Sequence, residues 1–286
     1  MDPGVFDLED FDMQWCPGCG NFQIMEALKK ALAELGLGPA DVVFHSGIGQ
    51  AAKTPHFMKG NFFNGLHGRS VSNATGMKAA NPGLAVFAIG GDGDMYGEGG
   101  NHFLHTIRRN PDIVNIVHNN MVYGLTKGQA SPTSPAGLKT PVQVDGVFET
   151  PVNPLALALT QGAGFVARAF SGYVDHTAEI IRRAVSFRGY ALVDIFQPCI
   201  SFNKTNTFKW FKDNTAMLPD GYDAGDREAA LSKAMESRPY PLGVLYESVT
   251  NEPFENHLAC HDSGVRPLYE REVDMEAVKN YLRSMQ

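Results

Sequence analysis

The feature that most constrains the fold is a pair of short apolar runs, each leading into small polar residues. Residues 84–89 lead into Gly90-Gly91-Asp92-Gly93-Asp94, and residues 113–117 lead toward Asn119-Asn120. A helical segment of about ten residues between the two runs is long enough to make them parallel neighbours in a sheet. Parallel strands end at the same edge of a sheet, so we expect Asp92 and Asn120 to lie close together.

These polar strand ends have the chemistry of a metal-bound anion site. Asp92 and Asn120 offer the hard oxygen ligands that magnesium prefers. Gly91 and Gly93 have no side chain, so backbone N–H groups can approach an anion. The N-terminus of a predicted helix over residues 101–109 would face the same turn, where the helix dipole favours phosphate. The pattern therefore predicts a magnesium-bound diphosphate.

The same alternation of strand and helix runs through most of the chain and predicts an α/β fold, a parallel sheet flanked by helices. The predicted strands are residues 42–45, 84–89, 113–117, 165–170, 191–196 and 242–246. The predicted helices follow Asn21 and cover residues 73–80, 101–109, 154–161, 176–186, 227–237 and 274–282. The pattern loosens from about residue 202. We therefore expect an α/β domain over residues 1–202 and a C-terminal extension, residues 203–286, packed on that domain or on a partner.

Composition excludes some functions and favours a cellular location. The net charge of −7 and the isoelectric point near 5.7 argue against nucleic acid as the main partner. No apolar run approaches ~20 residues, so we expect no membrane-spanning segment. The acidic start lacks the basic and apolar regions of a signal peptide, which predicts a cytoplasmic location. There, the 4 cysteines are expected to be metal ligands or buried thiols rather than disulfides.

Three further segments carry chemically useful residues. Ser46-Gly47-Ile48-Gly49 and Cys199 follow predicted strands, so we expect both at the sheet edge that carries Asp92. Cys16-Pro17-Gly18-Cys19 alone fits either a metal-type hairpin or a redox dithiol. With Cys199 nearby, the pair could hold a metal or an iron–sulfur cluster. Leu66-His67-Gly68-Arg69 fits either an anion contact or a solvated basic loop, and these residues alone favour neither.

Together, these motifs make the chain resemble the β subunit of 2-oxoacid:ferredoxin oxidoreductases. Gly91-Asp92-Gly93, followed after 25 residues by Asn119-Asn120, looks like the thiamine diphosphate motif. The resemblance covers about residues 14–215, and residues 222–246 are similar to the 2-oxoglutarate and pyruvate members. The motifs that carry it are Trp15-Cys16-Pro17-Gly18-Cys19-Gly20, Ser46-Gly47-Ile48-Gly49, Leu66-His67-Gly68-Arg69, Gly90-Gly91-Asp92-Gly93-Asp94 and Tyr123-Gly124-Leu125-Thr126-Lys127-Gly128-Gln129.

The resemblance implies the diphosphate-binding domain fold of thiamine diphosphate enzymes and a role for each matching residue. Magnesium would be bound by Asp92, Asn120 and the backbone carbonyl of Val122. Lys127 and Lys53 would lie near the 2-oxoacid or coenzyme A. A [4Fe–4S] cluster would be bound by Cys16, Cys19 and Cys199. Thiamine diphosphate would be lined by Ile48, Gly49, Gln50, Ala51, His67, Gly93, Asp94, Gly124 and Leu125.

One residue departs from the family pattern. The family's usual Gly-Ile-Gly-Cys is here Gly47-Ile48-Gly49-Gln50, so one of the cluster's expected thiolates is missing. Glutamine is a poor, neutral substitute for a soft ligand. Another group completes the cluster, one iron stays open, or no cluster forms. Cys260 is the one cysteine without an assigned role, so it either supplies the missing ligand or is an ordinary buried thiol. His45 and His56 are further candidates for that ligand. We expect a cluster because the other cysteines stand at family positions.

The implied reaction is the oxidative decarboxylation of a 2-oxoacid with coenzyme A, and its reverse uses the same groups. Electrons would pass singly through the cluster to ferredoxin. The tail favours 2-oxoglutarate, with pyruvate and then branched-chain oxoacids next. A single α/β domain is visible, so the pyrimidine-binding domain and its activating carboxylate should come from an α subunit, in an (αβ)2 assembly. We therefore expect the isolated chain to be inactive.

Two other functions remain open on the sequence. A non-redox thiamine diphosphate decarboxylase or synthase subunit is favoured if Gln50 means that no cluster forms. A non-catalytic, metal-binding regulatory subunit would keep the fold without the chemistry. The retention of both Asp92 and Asn120 argues against this last function.

Overall fold

The computed structural model describes residues 1–249, 251–261 and 266–285. The strands are β1 (Val42–Ser46), β2 (Asn61–Asn64), β3 (Ala85–Gly91), β4 (Val114–Asn119), β5 (Phe165–Phe170), β6 (Ala191–Phe196), β7 (Thr215–Met217) and β8 (Tyr240–Glu247). The α-helices are α1 (Asn21–Glu34), α2 (Ser70–Ala80), α3 (Gly100–Arg109), α4 (Pro154–Thr160), α5 (Val174–Ser186), α6 (Phe208–Asn214), α7 (Arg227–Met235) and α8 (Met275–Ser284).

Within the described residues, the strands form one 8-stranded sheet in the order β2-β1-β3-β4-β6-β5-β8-β7. Every pair of neighbours is parallel except β5 and β8, which are antiparallel. The predicted α/β fold with a parallel sheet is therefore confirmed.

Alternate residues of the central strands point to opposite faces of the sheet, and helices cover both faces. Phe87 and Ile89 of β3 pack on one side, in a core that includes α1 and α5. Val86 and Ala88 of the same strand pack on the other side, against α2, α3, α4 and α7. Because both faces are buried, most positions of the central strands are apolar, which is why they appeared as apolar runs rather than as alternating patterns.

The central strands end side by side at one edge of the sheet. β1, β3, β4 and β6 are consecutive and parallel, so their carboxyl ends meet, as the strand order requires. They lead into Gly47, Asp92, Asn120 and Gln197, respectively. The segments expected at this edge from the sequence are therefore neighbours in space.

Several local expectations are corrected. The helix expected to begin near the Gly-Asp-Gly turn is preceded by a π-helical turn, Gly93–Glu98, in which Gly99 N donates to the Asp94 carbonyl at 2.9 Å. This rare i→i+5 turn, and not α3 itself, begins at the site. Three short elements, β2, α6 and β7, were missed by the sequence reading.

The C-terminal part of the chain adds to the sheet through β7 and β8, and β8 pairs with β5. The division of the chain at residue 202 stays a prediction. Helix α8 exposes apolar side chains, including Tyr281 at 66 % and Leu282 at 56 %. None of the helices in the described residues is both long and apolar enough to cross a membrane.

Candidate functional site

Asp92 lies at the carboxyl end of β3 and is only 1 % exposed. Its Oδ2 accepts hydrogen bonds from the hydroxyls of Ser131 at 2.5 Å and Thr133 at 2.6 Å. Its Oδ1 accepts one from the backbone N–H of Asn120 at 3.4 Å. Burial raises the pKa of Asp92 to about 6, although these three donors oppose the shift. The carboxylate is thus oriented by its neighbours and is costly to keep ionised without a cation.

Asn120 stands beside Asp92 at the end of the next strand. Its Oδ1 accepts a hydrogen bond from Val122 N at 3.0 Å, and its Nδ2 donates to Gln197 Oε1 at 3.2 Å. The carboxylate of Asp92, the amide oxygen of Asn120 and the carbonyl of Val122 are all hard oxygen donors. These three residues line one cavity, so the donor set fits magnesium.

The preceding residue, Asn119, points into the protein interior and supports Asp92 indirectly. Its Nδ2 donates to the buried carboxylate of Asp194 at 3.1 Å, and Tyr96 OH donates to the same carboxylate at 2.8 Å. The Thr133 hydroxyl that contacts Asp92 also lies 3.0 Å from Asn119 Oδ1. The two residues of the Asn-Asn pair therefore differ: Asn120 faces the cavity, and Asn119 holds the Thr133 hydroxyl in place.

Asp94 ties two loops to the π-helical turn. Its Oδ1 accepts hydrogen bonds from the backbone N–H groups of Ile48 at 3.1 Å and Gly68 at 2.8 Å. His67 Nδ1 lies 2.7 Å from the same oxygen. Burial raises the pKa of Asp94, while the two N–H donors and His67 act in the opposite direction. A Cβ at Gly47 would lie 2.1 Å from Asp94 Oδ2, so only glycine fits there.

The predicted thiamine diphosphate residues converge on the same cavity. All nine of them line it, together with Asp92, Asn120 and Val122: Ile48, Gly49, Gln50, Ala51, His67, Gly93, Asp94, Gly124 and Leu125. The two predicted lysines do not line it. Lys127 is exposed, and Lys53 Nζ donates to Gln14 Oε1 at 2.6 Å. The catalytic roles of both lysines stay predictions.

A second cavity beside the first is lined by Cys16, Cys19 and Cys199. Ser201 Oγ donates to Cys16 Sγ at 3.1 Å, and Gln197 Nε2 donates to Cys19 Sγ at 3.4 Å. The pKa of the Cys19 thiol is raised to about 11, chiefly by burial and further by the neighbouring Cys199 and Cys16. The segment from Cys16 to Cys19 and Cys199 therefore lie together. Ionisation of a second thiol beside a first thiolate is disfavoured unless a cation is present.

The two cavities share a wall. Gln50, Asn120 and Gly124 line both of them. A Cβ at Gly124 would lie 3.6 Å from Cys199 Sγ. A group bound among the cysteines would therefore adjoin a group bound at Asp92 and Asn120.

The structure also shows where the possible fourth cluster ligands lie. Gln50 lines the cysteine cavity, whereas Cys260, His45 and His56 do not. Cys260 is in a 3-10 turn whose neighbour His261 hydrogen bonds to the carbonyl of Ala79, in the last turn of α2. Because α2 begins near the site and runs back for roughly 15 Å, Cys260 lies at the opposite edge of the sheet.

In the part of the chain that the structure describes, no three His, Cys, Asp or Glu side chains converge closely enough to hold a single metal ion. The oxygen set at Asp92 contains one carboxylate and neutral donors, so it does not depend on such a cluster. Thiolates that bind an iron–sulfur cluster bond to separate irons, so they need not converge on one point either.

The residues that support the proposed ligands could not be recognised from the sequence. Ser131 and Thr133 come from a Pro-, Ser- and Thr-rich loop, and Gln197 follows β6. A long loop at a strand end is often functional, but its sequence does not show which of its hydroxyls contact a ligand. Which of its hydroxyls reach Asp92 depends on how Leu138 and Val147 pack the loop against Val122.

Comparison with known proteins identifies the fold of the central region. Residues 41–195 match the family described as thiamine pyrophosphate enzyme, C-terminal TPP binding domain, thiamine pyrophosphate being another name for thiamine diphosphate. Residues 199–262 match the C-terminal family of the pyruvate ferredoxin oxidoreductase beta subunit. Subunit beta of 2-oxoacid:ferredoxin oxidoreductase 1 from Aeropyrum pernix is 44% identical over 257 residues, 86% of this chain and 81% of the relative. The chain belongs to the β subunits of 2-oxoacid:ferredoxin oxidoreductases.

Further relatives agree with this family. The 2-oxoglutarate synthase subunit KorB of Methanocaldococcus jannaschii is 34% identical over 222 residues, 75% of this chain and 82% of the relative. A solved structure of the 2-oxoglutarate:ferredoxin oxidoreductase from Magnetococcus marinus superposes with a TM-score of 0.91 at 35% identity, covering 98% of this chain and 96% of that chain. That structure contains 2-oxoglutarate, coenzyme A and succinyl-CoA.

Membership confirms the resemblance found in the sequence. The chain is a subunit of a thiamine diphosphate-dependent oxidoreductase, and its place among the β subunits implies an α partner.

Proposed function

We propose that this chain is the magnesium- and thiamine diphosphate-binding subunit of a 2-oxoglutarate:ferredoxin oxidoreductase that also holds an iron–sulfur cluster. The enzyme would convert 2-oxoglutarate and coenzyme A to succinyl-CoA and carbon dioxide, and it would reduce ferredoxin. The observation that carries the proposal is the wall of Gln50, Asn120 and Gly124 shared by the two cavities. A cofactor that releases electrons and a cluster that accepts them would adjoin across this wall.

Each residue has a role that follows from its position. Bound thiamine diphosphate supplies the nucleophilic carbon and the electron sink for decarboxylation. Asp92, Asn120 and the carbonyl of Val122 hold the magnesium ion. Asp94 keeps the loop at Ile48 against the cavity, where backbone N–H groups can meet the diphosphate. The part of this chain in catalysis is therefore to position the cofactor and to neutralise charge.

The choice of 2-oxoglutarate is supported by the relatives. Relatives from Methanocaldococcus jannaschii and Mycobacterium tuberculosis carry 2-oxoglutarate in their names, and the Magnetococcus marinus enzyme binds it. Pyruvate is the next candidate. The same groups serve reductive carboxylation, so the enzyme can run in either direction. Lys127 and Lys53 are proposed to approach the substrate or coenzyme A once the α subunit is in place.

An assay of the complex tests the substrate and the partner together. The chain is purified alone and with its α subunit, and 2-oxoacid-dependent reduction of a viologen dye is measured with coenzyme A. We expect turnover by the complex, with 2-oxoglutarate preferred to pyruvate, and none by the isolated chain. Asp92→Asn should abolish turnover, whereas Asp145→Asn, at an exposed position, should not. Clear turnover by the isolated chain would contradict the proposed need for an α subunit.

Gln50 favours a second candidate, a thiamine diphosphate decarboxylase or synthase subunit without a cluster. The two candidates differ in a simple observation. A cluster-containing complex purified without oxygen should be brown and contain iron and sulfide. A colourless, iron-free preparation that still binds magnesium and thiamine diphosphate would favour the second candidate.

The proposed cytoplasmic location can be tested by cell fractionation.

A further inference from the structure

Gln50, in the wall of the cysteine cavity, carries a side-chain oxygen to which no described residue hydrogen bonds. Gln50 Oε1 is shielded from solvent and has no hydrogen-bond partner among the residues that the structure describes. The other side-chain oxygens that line this cavity are all engaged: those of Asn21, Asn120, Gln197 and Ser201. A buried polar atom without a partner is unfavourable, so such an atom calls for a ligand.

The position of Gln50 relative to the cysteines is held by Trp15. The indole Nε1 of Trp15 donates to the backbone carbonyl of Gln50 at 2.8 Å. Trp15 is only 5 % exposed and packs edge-on against Phe22 and Phe57, with ring centroids 5.4 and 4.7 Å apart. Because Cys16 directly follows Trp15, the same buried ring holds Gln50 next to the first cysteine.

We propose that Gln50 completes the iron–sulfur site, with its side-chain oxygen facing the iron that Cys16, Cys19 and Cys199 leave without a thiolate. This inference rests on the cluster in the proposed function and assigns its missing ligand. The alternatives lie elsewhere. Cys260 is at the opposite edge of the sheet, and the rings of His45 and His56 pack against Phe63 and Phe62 of β2, with centroids 5.9 and 5.5 Å apart.

A neutral, hard oxygen binds iron more weakly than a soft thiolate does, so the iron at Gln50 is labile. Loss of one negative ligand charge also raises the reduction potential of the cluster. A one-electron oxidant such as ferricyanide would take one electron from a [4Fe–4S]2+ cluster held here; the iron at Gln50 would leave as Fe2+, and [3Fe–4S]+ would remain on the three cysteines. Ferrous iron and a thiol reductant restore the original cluster. Oxidants would therefore interrupt electron transfer to ferredoxin by removing the one iron that Gln50 binds.

The test compares variants of the full chain, assembled with the α subunit and purified without oxygen. Wild type, Gln50→Cys, Gln50→Ala and Cys260→Ala are titrated with ferricyanide, and bound iron and the EPR spectrum are measured. Wild type should lose a quarter of its iron and develop the near-isotropic signal of a three-iron cluster. Gln50→Cys should keep its iron, and Gln50→Ala should lose it at least about tenfold faster than wild type. Cys260→Ala should behave as wild type does.

Circular dichroism of each variant shows whether it is folded. The inference is overturned if wild type keeps all its iron under ferricyanide, or if Gln50→Ala loses iron no faster than wild type. It is also overturned if Cys260→Ala alone removes the fourth iron. If wild type and Gln50→Cys are both folded but contain no iron, the proposed cluster itself is wrong. This result differs from those that overturn only the assignment of Gln50.

Discussion

Asn120 donates a hydrogen bond from its side-chain amide to Oε1 of Gln197 at 3.2 Å. The amide nitrogen of Gln197 faces the other way and donates to Cys19 Sγ at 3.4 Å and to the carbonyl of Pro198 at 2.8 Å. One glutamine therefore connects the proposed magnesium site with the cysteine cavity. It also decides which end of the Asn120 amide is the oxygen, and so presents Oδ1 on the side of Val122.

Replacing Gln197 by leucine should weaken cofactor binding, although Gln197 is not itself a proposed ligand. The variant removes the acceptor that orients Asn120, and such supporting residues typically change metal affinity by about 10–100-fold. We expect the dissociation constant for magnesium and thiamine diphosphate, measured by calorimetry, to rise by roughly tenfold. Gln161→Leu, at an exposed position, is the matched control and should bind as wild type does. Equal affinity in Gln197→Leu and wild type would show that Asn120 needs no such support.

Cofactor binding should weaken below pH 6 because of Asp92. Burial raises the pKa of this carboxyl to about 6 in the metal-free chain, and magnesium binds the ionised form. Protons therefore compete with the metal as the pH falls through this value. At pH 5 we expect an affinity about tenfold lower than at pH 7.5.

A variant of Thr133 tests whether Asp92 causes this pH dependence, rather than another titrating group such as the cofactor's own phosphates. Thr133→Val removes a donor that lowers the pKa of Asp92, so the midpoint of the binding curve should move to higher pH. Thr160→Val, at an exposed position, should leave the midpoint unchanged. If Thr133→Val and Thr160→Val have the same midpoint, Asp92 is not the titrating group.

Asp92→Asn should stabilise the metal-free chain while abolishing magnesium binding. Folding raises the pKa of Asp92 from 3.8 to about 6, so the ionised carboxylate opposes folding above pH 6 by on the order of 2–3 kcal/mol. Protonation removes this cost as the pH falls from 6 toward 4. The introduced amide can donate to the Thr133 hydroxyl, which can itself turn to Asn119 Oδ1, 3.0 Å away.

Thermal unfolding of the metal-free chain measures this effect. At pH 7.5 Asp92→Asn should melt several degrees above wild type, and the difference should narrow at pH 5. Asp145→Asn, which changes an exposed carboxylate, should melt with wild type at both pH values. A lower melting temperature for Asp92→Asn at pH 7.5 would mean that the hydrogen bonds of the carboxylate stabilise the fold by more than its burial destabilises it.

Gly47→Ala should disrupt the cofactor cavity by a steric clash. The added Cβ would lie 2.1 Å from Oδ2 and 2.5 Å from Oδ1 of Asp94. Asp94 cannot easily move, because the backbone N–H groups of Ile48 and Gly68 hold its Oδ1. We expect a loss of roughly 1–3 kcal/mol in the free energy of unfolding, together with weaker binding of thiamine diphosphate.

Gly76→Ala is the matched control for this variant. Gly76 lies within α2, and a Cβ there would meet nothing within 4 Å. Alanine in a helix is favoured over glycine, so this variant should gain about 0.5–1 kcal/mol. Denaturant unfolding should therefore show that the free energy of unfolding falls in Gly47→Ala and rises in Gly76→Ala, relative to wild type. Equal stability of Gly47→Ala and wild type would show that the loop at Gly47 can shift away from Asp94.

Much of the fold could be predicted from residue patterns because the central strands are buried on both faces. β3, β4, β5 and β6 are short apolar runs separated by helical segments, and that pattern requires a parallel sheet. The short strands β2 and β7 could not be predicted this way. β2 is an exposed edge strand of 4 residues, and its extended form depends on its pairing with β1.

The sequence by itself determined which candidate ligands the chain carries: oxygen donors at Asp92 and Asn120, thiols at Cys16, Cys19 and Cys199, and a glutamine where the family has cysteine. These follow from residue type and from the ends of predicted strands, which are local properties. Only the tertiary structure decided what surrounds them. Hydrogen bonds such as Thr133 to Asp92 and Asn120 to Gln197 join residues 41 and 77 positions apart, respectively. Their partners are chosen by how loops and strands pack together, and no local pattern encodes that choice.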